Sequence, residues 1–597
     1  MKKQLKKLLP QLAFFYSYLR YRLFALLVVS IFVGLLDGLG LAMFLPLLEL
    51  VSDQNANAST EQMGNLAFLL DGIEALGLNL TLTVVLFTML IFFVLKGIAK
   101  YFQSYLSVIY RQYFIAKVRV ENIDALTNYS YNAFVSADAG KIQNTLSGEV
   151  QRVIQSFATY NQMLQQLVLI VTYSVLAFLA NPEFAALVVV GGVVSNFLFS
   201  VLYKKTKRLS RELVKRNSSF QGLLIQEVAF FKYLKATGSI RGYARKLKQK
   251  VEEIEETARG IGVLNSIMTG AREPIMITIV VAVILVQVRV MGGSLSTIVL
   301  SLLFFYRGLS AVTSLQTSYN KFLSFSGSLT NMQEFLADLK KNKRKTGKEP
   351  VDSFEKELSL KEVTFAYQNF DPILQHVSLS LAKNETVALV GESGSGKTTL
   401  MNIMAGLLVP TSGELFIDQK DGSKLNMNTF QKRIGYITQE PVIFDDTVFN
   451  NVTFWSEKTE KNLARFWEAL RKAHIIDFVE EQKEKEEARL GNNGINLSGG
   501  QKQRISIARE LYKDVDFLFM DEATSALDSE TEKQIQNNID ELKGQYTIVI
   551  IAHRLSTIKN ADRVVVMKKG QIDQIGSYGE LIEKSVEFGK MVELQEV

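Results

Sequence analysis

Residues 391–398 read Gly391-Glu392-Ser393-Gly394-Ser395-Gly396-Lys397-Thr398, a complete G-x-x-x-x-G-K-[ST] pattern. The apolar residues 387–390 before it read as a strand, and residues 399–408 after it as a helix. That strand–loop–helix context is what the pattern requires. The glycines let backbone N–H groups close around phosphate oxygens, and the helix N-terminus adds positive potential. Lys397 is suited to the β- and γ-phosphates and Thr398 to Mg²⁺. The candidate phosphate-binding residues are therefore Gly391, Ser393, Gly394, Gly396, Lys397, Thr398 and Thr399.

Downstream, Phe517-Leu518-Phe519-Met520 runs into Asp521-Glu522. An apolar run that ends in acids reads as a buried parallel strand delivering carboxylates to the edge of a sheet where phosphates sit. Asp521 is placed to hold Mg²⁺, and Glu522 to polarise an attacking water. A third strand, over 546–552, ends at His553. The chain has three histidines, His376, His474 and His553. Only the last stands at the end of such a strand, and it is assigned to the γ-phosphate. Between the loop and the acidic strand lies Leu497-Ser498-Gly499-Gly500-Gln501, followed by a helical pattern over 502–512.

Upstream the character changes. The run Lys340-Lys341-Asn342-Lys343-Arg344-Lys345 reads as part of a solvated linker over 331–352, with the phosphate-binding domain over 353–597. Before it come six apolar segments, near 23–50, 80–110, 158–180, 183–204, 260–289 and 294–325, each about the length that spans a bilayer. One such run alone could be a buried core helix, but six together make residues 23–330 a membrane domain. Residues 1–22 form an amphipathic lead, in which Lys2, Lys3, Lys6 and Lys7 precede a stretch over 8–18 suited to lie along a membrane surface.

The loops orient the spans. Segment 204–259 opens with Lys204, Lys205, Lys207, Arg208, Arg211, Lys215 and Arg216, whereas 52–79 has no Lys or Arg. By the positive-inside rule the N-terminus and the segments 111–159 and 204–259 are cytoplasmic. The net charge of +7, from 67 basic and 60 acidic residues in 597, is thus a topology signal, and nucleic acid is not expected as a partner. The absence of cysteine excludes disulfides, zinc fingers, iron–sulfur clusters and thiol nucleophiles. The two basic segments show helical spacing, so they read as cytoplasmic extensions of the spans. Short transverse contact helices are expected within 131–153 and 226–242.

The phosphate loop, the 497–501 pentapeptide and the Asp521-Glu522 strand together resemble the ATP-binding cassette superfamily. The whole chain resembles a half-size ABC exporter, a polytopic α-helical membrane domain of six spans fused to an α/β P-loop NTPase domain. That resemblance implies further roles. Tyr367 looks like the aromatic that stacks on adenine. Gln439 looks like the residue linking Mg²⁺ and water to the membrane helices, and Asp528 belongs to a D-loop-like Ser525-Ala526-Leu527-Asp528. Ser498, Gly499, Gly500 and Gln501 would cover the γ-phosphate bound on an opposite domain. With one loop and one such signature per chain, the implied assembly is a homodimer with two equivalent ATP sites, multi-pass in the inner (cytoplasmic) membrane. Asn492 stands where related exporters often carry Glu, which bears on coupling and not on ATP binding. A DNA-associated cassette ATPase would place a long coiled coil where this chain has none. A channel or channel regulator is the remaining class, to be told apart by currents that outlast ATP turnover.

Charged residues within spans carry the information on cargo, because they are costly in hydrocarbon. Lys96, Arg272 and Arg307 are the substrate candidates. One reading is internal pairing with Asp37 or Glu273, and the other is an anion track for a phosphate or pyrophosphate headgroup. In the external segment 52–79, Leu66, Leu69, Leu70, Ile73 and Leu76 recur at helical spacing. This is either a helix packed onto the spans or a feature resembling flippases of lipid-linked oligosaccharides. The expected cargo is an amphipathic membrane lipid with a pyrophosphate-linked sugar, with multidrug, other lipid or peptide export as the alternative.

Overall fold

The computed structural model describes residues 10–44, 46–47, 50, 68–180, 182–286, 289, 295–367, 371–521, 529–552, 558–585, 588–589 and 592–593. The chain divides into two compact units, one formed by 1–129 with 137–343, the other by 130–136 with 344–597.

Among its described residues the first unit is helical: α1 (Pro10–Leu19), α2 (Tyr21–Ala42), α3 (Phe68–Ala75), α4 (Leu82–Thr127), α6 (Ala139–Asn144), α7 (Val150–Ala180), α8 (Pro182–Ala229), α9 (Phe231–Ala236), α10 (Ile240–Leu285) and α11 (Leu295–Lys341). The short α5 (Tyr131–Val135) belongs to the second unit. Four stretches among the described residues, Tyr21–Ala42, Leu82–Thr127, Ala139–Leu179 and Ile240–Leu285, are long and apolar enough to cross a membrane. The apolar starts of α8 and α11 include residues whose side chains lie outside the described set. Pro274 sits inside α10, where it removes one backbone donor from the ladder.

Three sequence expectations need adjusting here. α1 does not merely lie on a surface, because Phe15, Tyr18 and Leu19 are buried in a cluster with Phe114, Phe157 and Met332. Residues 331–341, read as linker, continue α11. Arg344, read as part of a solvated run, is locked onto the second unit, donating to Gln431 Oε1 and to the Gly406 carbonyl, both at 2.7 Å. The helix α3, read from the sequence as external, packs onto the long apolar helices, with Leu70 and Ile73 buried against Leu41, Met43, Val85 and Phe304, while Leu76 is exposed. Leu66 lies outside the described residues.

The second unit carries two sheets. β1 (Glu357–Phe365), β2 (Leu374–Ala382), β4 (Ser412–Ile417) and β5 (Lys420–Asp421) form an antiparallel sheet of order β2-β1-β4-β5. β3 (Thr386–Gly391), β6 (Ile434–Ile437), β7 (Phe517–Asp521), β8 (Thr547–Ile551), β9 (Arg563–Lys568) and β10 (Gln571–Gly576) form the other, of order β10-β9-β3-β8-β7-β6. Its strands are parallel except the edge strand β10. The strands β3, β7 and β8 are apolar without a polar face because both faces are covered. Alternation sends Ala388, Val390, Leu518, Met520, Ile548 and Ile550 into one core. It sends Val387, Leu389, Phe517, Phe519, Val549 and Ile551 into the other. At the far end of the sheet Arg433 clamps Asp516 with two bonds of 2.7 and 3.0 Å, fixing β6 to β7.

Candidate nucleotide site and membrane charges

The sheet order brings the three predicted strands together. Leu389 of β3 and Asp521 of β7 both pair with Ile551 of β8, so the phosphate loop and the acid stand at one carboxyl edge. Gly391 and Gly396 have φ of +147° and +100°, and a Cβ at Gly391 would fall 2.2 Å from the Met567 carbonyl oxygen. The loop's path therefore admits no side chain there. Lys397 Nζ donates to the carbonyls of Gly391 and Glu392, both at 2.9 Å, drawing the loop closed. Lys397 also opens the helix Lys397–Met404 with Gly396 as its N-cap, so the first N–H groups of that helix face the loop. Ser393, Gly394, Thr398 and Thr399 complete this segment.

Thr398 Oγ1 lies 3.5 Å from Asp521 Oδ1. A hydroxyl and a carboxylate side by side, next to a phosphate loop, form the hard-oxygen donor set that Mg²⁺ takes. Gln439 is exposed two residues beyond the end of β6, which pairs with β7. Tyr367 follows β1, with its ring edge-on to Phe365 at 4.9 Å. Ser498 is the N-cap of the helix Gly499–Tyr512 in a reciprocal capping box with Gln501, leaving Gly499 and Gly500 in its first turn. Asn492 is exposed at the start of the short turn Asn492–Gly494. Glu522, Asp528 and His553 lie outside the described residues.

Two features went unread in the sequence. Tyr131 of α5 acts on two tyrosines of this edge. Burial first, then the neighbouring Asp521 and Tyr131, push the Tyr436 phenol above its ordinary range. Burial and then Tyr131 do the same to Tyr367. Only the fold brings residue 131 beside residues 367 and 436. The second is Arg509, buried on the helix Gly499–Tyr512. It donates to the Asn451 and Val442 carbonyls at 2.6 and 2.7 Å and to Asn451 Oδ1 at 3.1 Å. Arg509 thereby fixes the helix behind Ser498 to the segment that follows Gln439. Arg509→Ala is expected to cost about 2–4 kcal/mol, from orphaned buried carbonyls plus a cavity. The check is denaturant unfolding followed by the fluorescence of the two tryptophans, Trp455 and Trp467, the first of which is bonded to Asp446 in this region.

In the first unit Lys96 Nζ meets Asp37 Oδ1 at 2.5 Å, and Tyr173 donates to Asp37 Oδ2. A second rung joins Lys100, Gln103 and Ser30 at 2.7 Å each. Asp37 and Ser30 are seven residues apart on α2, as are Lys96 and Gln103 on α4, so both rungs occupy one helical seam. Of the three substrate candidates, Lys96 is thus internally paired. Lys96→Met should destabilise the protein by about 3 kcal/mol, because a buried carboxylate loses its cation, while Asp37→Leu with Lys96→Met should recover most of that loss. Thermal unfolding in detergent reads the difference. Arg272 is 4% exposed. It donates to Thr317 and lies 5.9 Å from the Phe199 ring, and its Nε has no hydrogen-bond partner. Among the described residues no carboxylate lies in ion-pair range of Arg272. Arg307 is exposed on α11.

Comparison with known proteins matches residues 23–311 to the ABC transporter transmembrane region and residues 374–525 to the ABC transporter family. A protein of Cupriavidus metallidurans named ATP-dependent lipid A-core flippase is 30% identical, over 82% of this chain and 83% of its own length. The heterocyst differentiation ATP-binding protein HepA of a Nostoc species is 27% identical over 77% and 76%. The solved structure of a bacterial Atm1-family ABC exporter with ATP bound superposes with a TM-score of 0.78 at 19% identity, covering 97% of this chain and 99% of that one.

Proposed function

We infer the function of this chain from the premise that it belongs to the ABC transporter family and couples ATP hydrolysis to transport. Its working form, in our reading, is a homodimer in which each phosphate loop is completed by Ser498, Gly499, Gly500 and Gln501 of the other copy. The observation that carries the chemistry is the Thr398–Asp521 juxtaposition at the loop. Lys397, Gly391, Ser393, Gly394, Gly396 and Thr399 hold the phosphates, and Tyr367 stacks on adenine. Thr398, Asp521 and Gln439 would hold Mg²⁺, which when bound would neutralise phosphate charge. Glu522 takes a proton from the attacking water as the bond to the β-phosphate oxygen breaks, releasing ADP and phosphate. His553 is assigned to the γ-phosphate, and Asp528 to the contact with the second copy.

Dimerisation is supported by apolar surface that a single chain leaves open. Val228, Phe230, Phe231 and Tyr233 at and before α9 are 50–70% exposed. On the second unit Phe444, Phe454 and Trp455 form an exposed aromatic cluster. A second copy would cover both.

For cargo we propose a membrane lipid with a phosphate- or pyrophosphate-linked sugar head, exported from the cytoplasmic leaflet of the inner membrane with the second unit in the cytoplasm. Arg272, buried among the helices without a carboxylate, supports an anionic headgroup, since arginine captures phosphate bidentately; Arg307 is the second candidate. The flippase name of the Cupriavidus relative agrees with a lipid cargo. The test is ATPase activity of the protein in liposomes against pyrophosphate-linked glycolipids, phospholipids and neutral drugs. Stimulation by the first, lost in Arg272→Ala and Arg307→Ala while basal ATPase survives, is the expected result. Stimulation by neutral drugs alone would favour multidrug export.

A further inference from the structure

The polar half of α8 carries five cations in one row. Lys204, Lys207, Arg208, Arg211 and Lys215 fall at i, i+3, i+4, i+7 and i+11, one face of the helix over about 16 Å. All five are exposed. Among the described residues none is in ion-pair range of a carboxylate. Off that face the chain behaves differently. Arg216 pairs with Glu212 at 2.6 Å and donates to the Glu253 carbonyl at 2.6 Å, while Asp138 and Glu334 share a further cavity with Arg211 and Lys215 at the lower end of the stripe.

The stripe lines, with Glu212, a cavity of about 380 Å³. Lys204 and Lys207 at its upper end also line a second cavity, of about 550 Å³, whose other walls include Met163, Leu167, Leu315 and Leu323. A basic groove thus opens directly into an apolar chamber between α7, α8 and α11. Tyr203 and Tyr319 line that chamber too, ring to ring at 4.9 Å. A positive-inside excess of base accounts for the number of these charges. It accounts neither for their alignment on one face nor for the two lysines shared with an apolar chamber.

We propose that this groove is the loading site for the transported lipid. Its phosphate or pyrophosphate lies on Lys204, Lys207 and Arg208, and the first part of its tail lies in the chamber walled by Met163, Leu167 and Leu323. The inference rests on the anionic-lipid reading above and adds where the headgroup is first captured. A free anion would use the cations but not the chamber, so the occupant is a lipid of the cytoplasmic leaflet.

The test titrates a fluorescent polyprenyl pyrophosphate into full-length protein in phosphatidylcholine nanodiscs. Lys204→Gln/Lys207→Gln/Arg208→Gln should weaken binding at least about tenfold, since each base near a membrane surface contributes appreciably to anion attraction. The charge-matched control Lys205→Gln/Arg259→Gln/Lys321→Gln, three exposed bases outside both cavities, should bind within about twofold of the parent. Lys204→Arg/Lys207→Arg should also bind like the parent, which guards against misfolding, and basal ATPase should be unchanged in all. Inorganic pyrophosphate at the lipid's concentration should not compete. Equal losses in both triple variants would reduce the effect to surface potential, and full competition by inorganic pyrophosphate would make the site a free-anion site; either overturns the proposal. If the parent binds the lipid and the stripe variant binds it equally well, this inference fails and the cargo reading stands. If the parent does not bind it, both fail.

Discussion

Glu522→Gln is expected to bind ATP as the parent chain does while its turnover falls by about 10²–10⁴-fold. The groups assigned to hold the nucleotide are elsewhere. Lys397 and the loop glycines are assigned to the phosphates, and Thr398 and Asp521, 3.5 Å apart, to the metal. Gln keeps the size of Glu and loses only the ability to accept a proton from water. An effect confined to the chemical step, with binding intact, is the signature of a group that acts in the transition state alone. Lys397→Ala should differ in kind, losing nucleotide binding itself. Fluorescent-nucleotide titration and steady-state phosphate release on the same preparations separate the two. If Glu522→Gln retained near-parental turnover, the base would have to be another residue.

Much of the nucleotide-binding unit was legible because its motifs are local. The glycines of 391–396 announce a backbone path closed to side chains, and the structure shows why at Gly391, where the Met567 carbonyl leaves no room. The apolar run before Asp521 announces a strand covered on both faces, and β7 lies between β6 and β8. What could not be read was whatever depends on contacts between distant segments. Arg509 looks like an ordinary helix-surface base until Asn451 and Val442 close around it. Tyr131 gives no hint of Tyr436, 305 positions away by the numbering. The pairing of Lys96 with Asp37, 59 residues apart, was one of two readings that sequence spacing alone left level, since a charge in a span looks the same whether it awaits a ligand or already has a partner. The end of α11 was misplaced for a simpler reason. The helix outruns its long apolar stretch, and over 331–341 it is held by four spaced buried residues, Met332, Phe335, Leu336 and Leu339, so the loss of overall hydrophobicity after 325 marks no helix end.

The second large effect concerns assembly. If each ATP site pools the loop of one copy with the signature of another, then Lys397→Ala and Ser498→Arg are each inactive as pure dimers, because every site carries the defect. Mixed dimers differ. One site collects both defects, and the other receives an unaltered loop from the Ser498→Arg chain and an unaltered signature from the Lys397→Ala chain. Random pairing makes about half the dimers mixed, so co-expression should restore about a quarter of parental ATPase if sites act independently. The decisive measurement is the ATPase rate of mixed dimers isolated with two different affinity tags. Turnover at about half the parental rate per dimer is expected, against background in either parent variant. Mixed dimers as inactive as their parents, or a solitary protomer with full activity, would contradict the shared-site account.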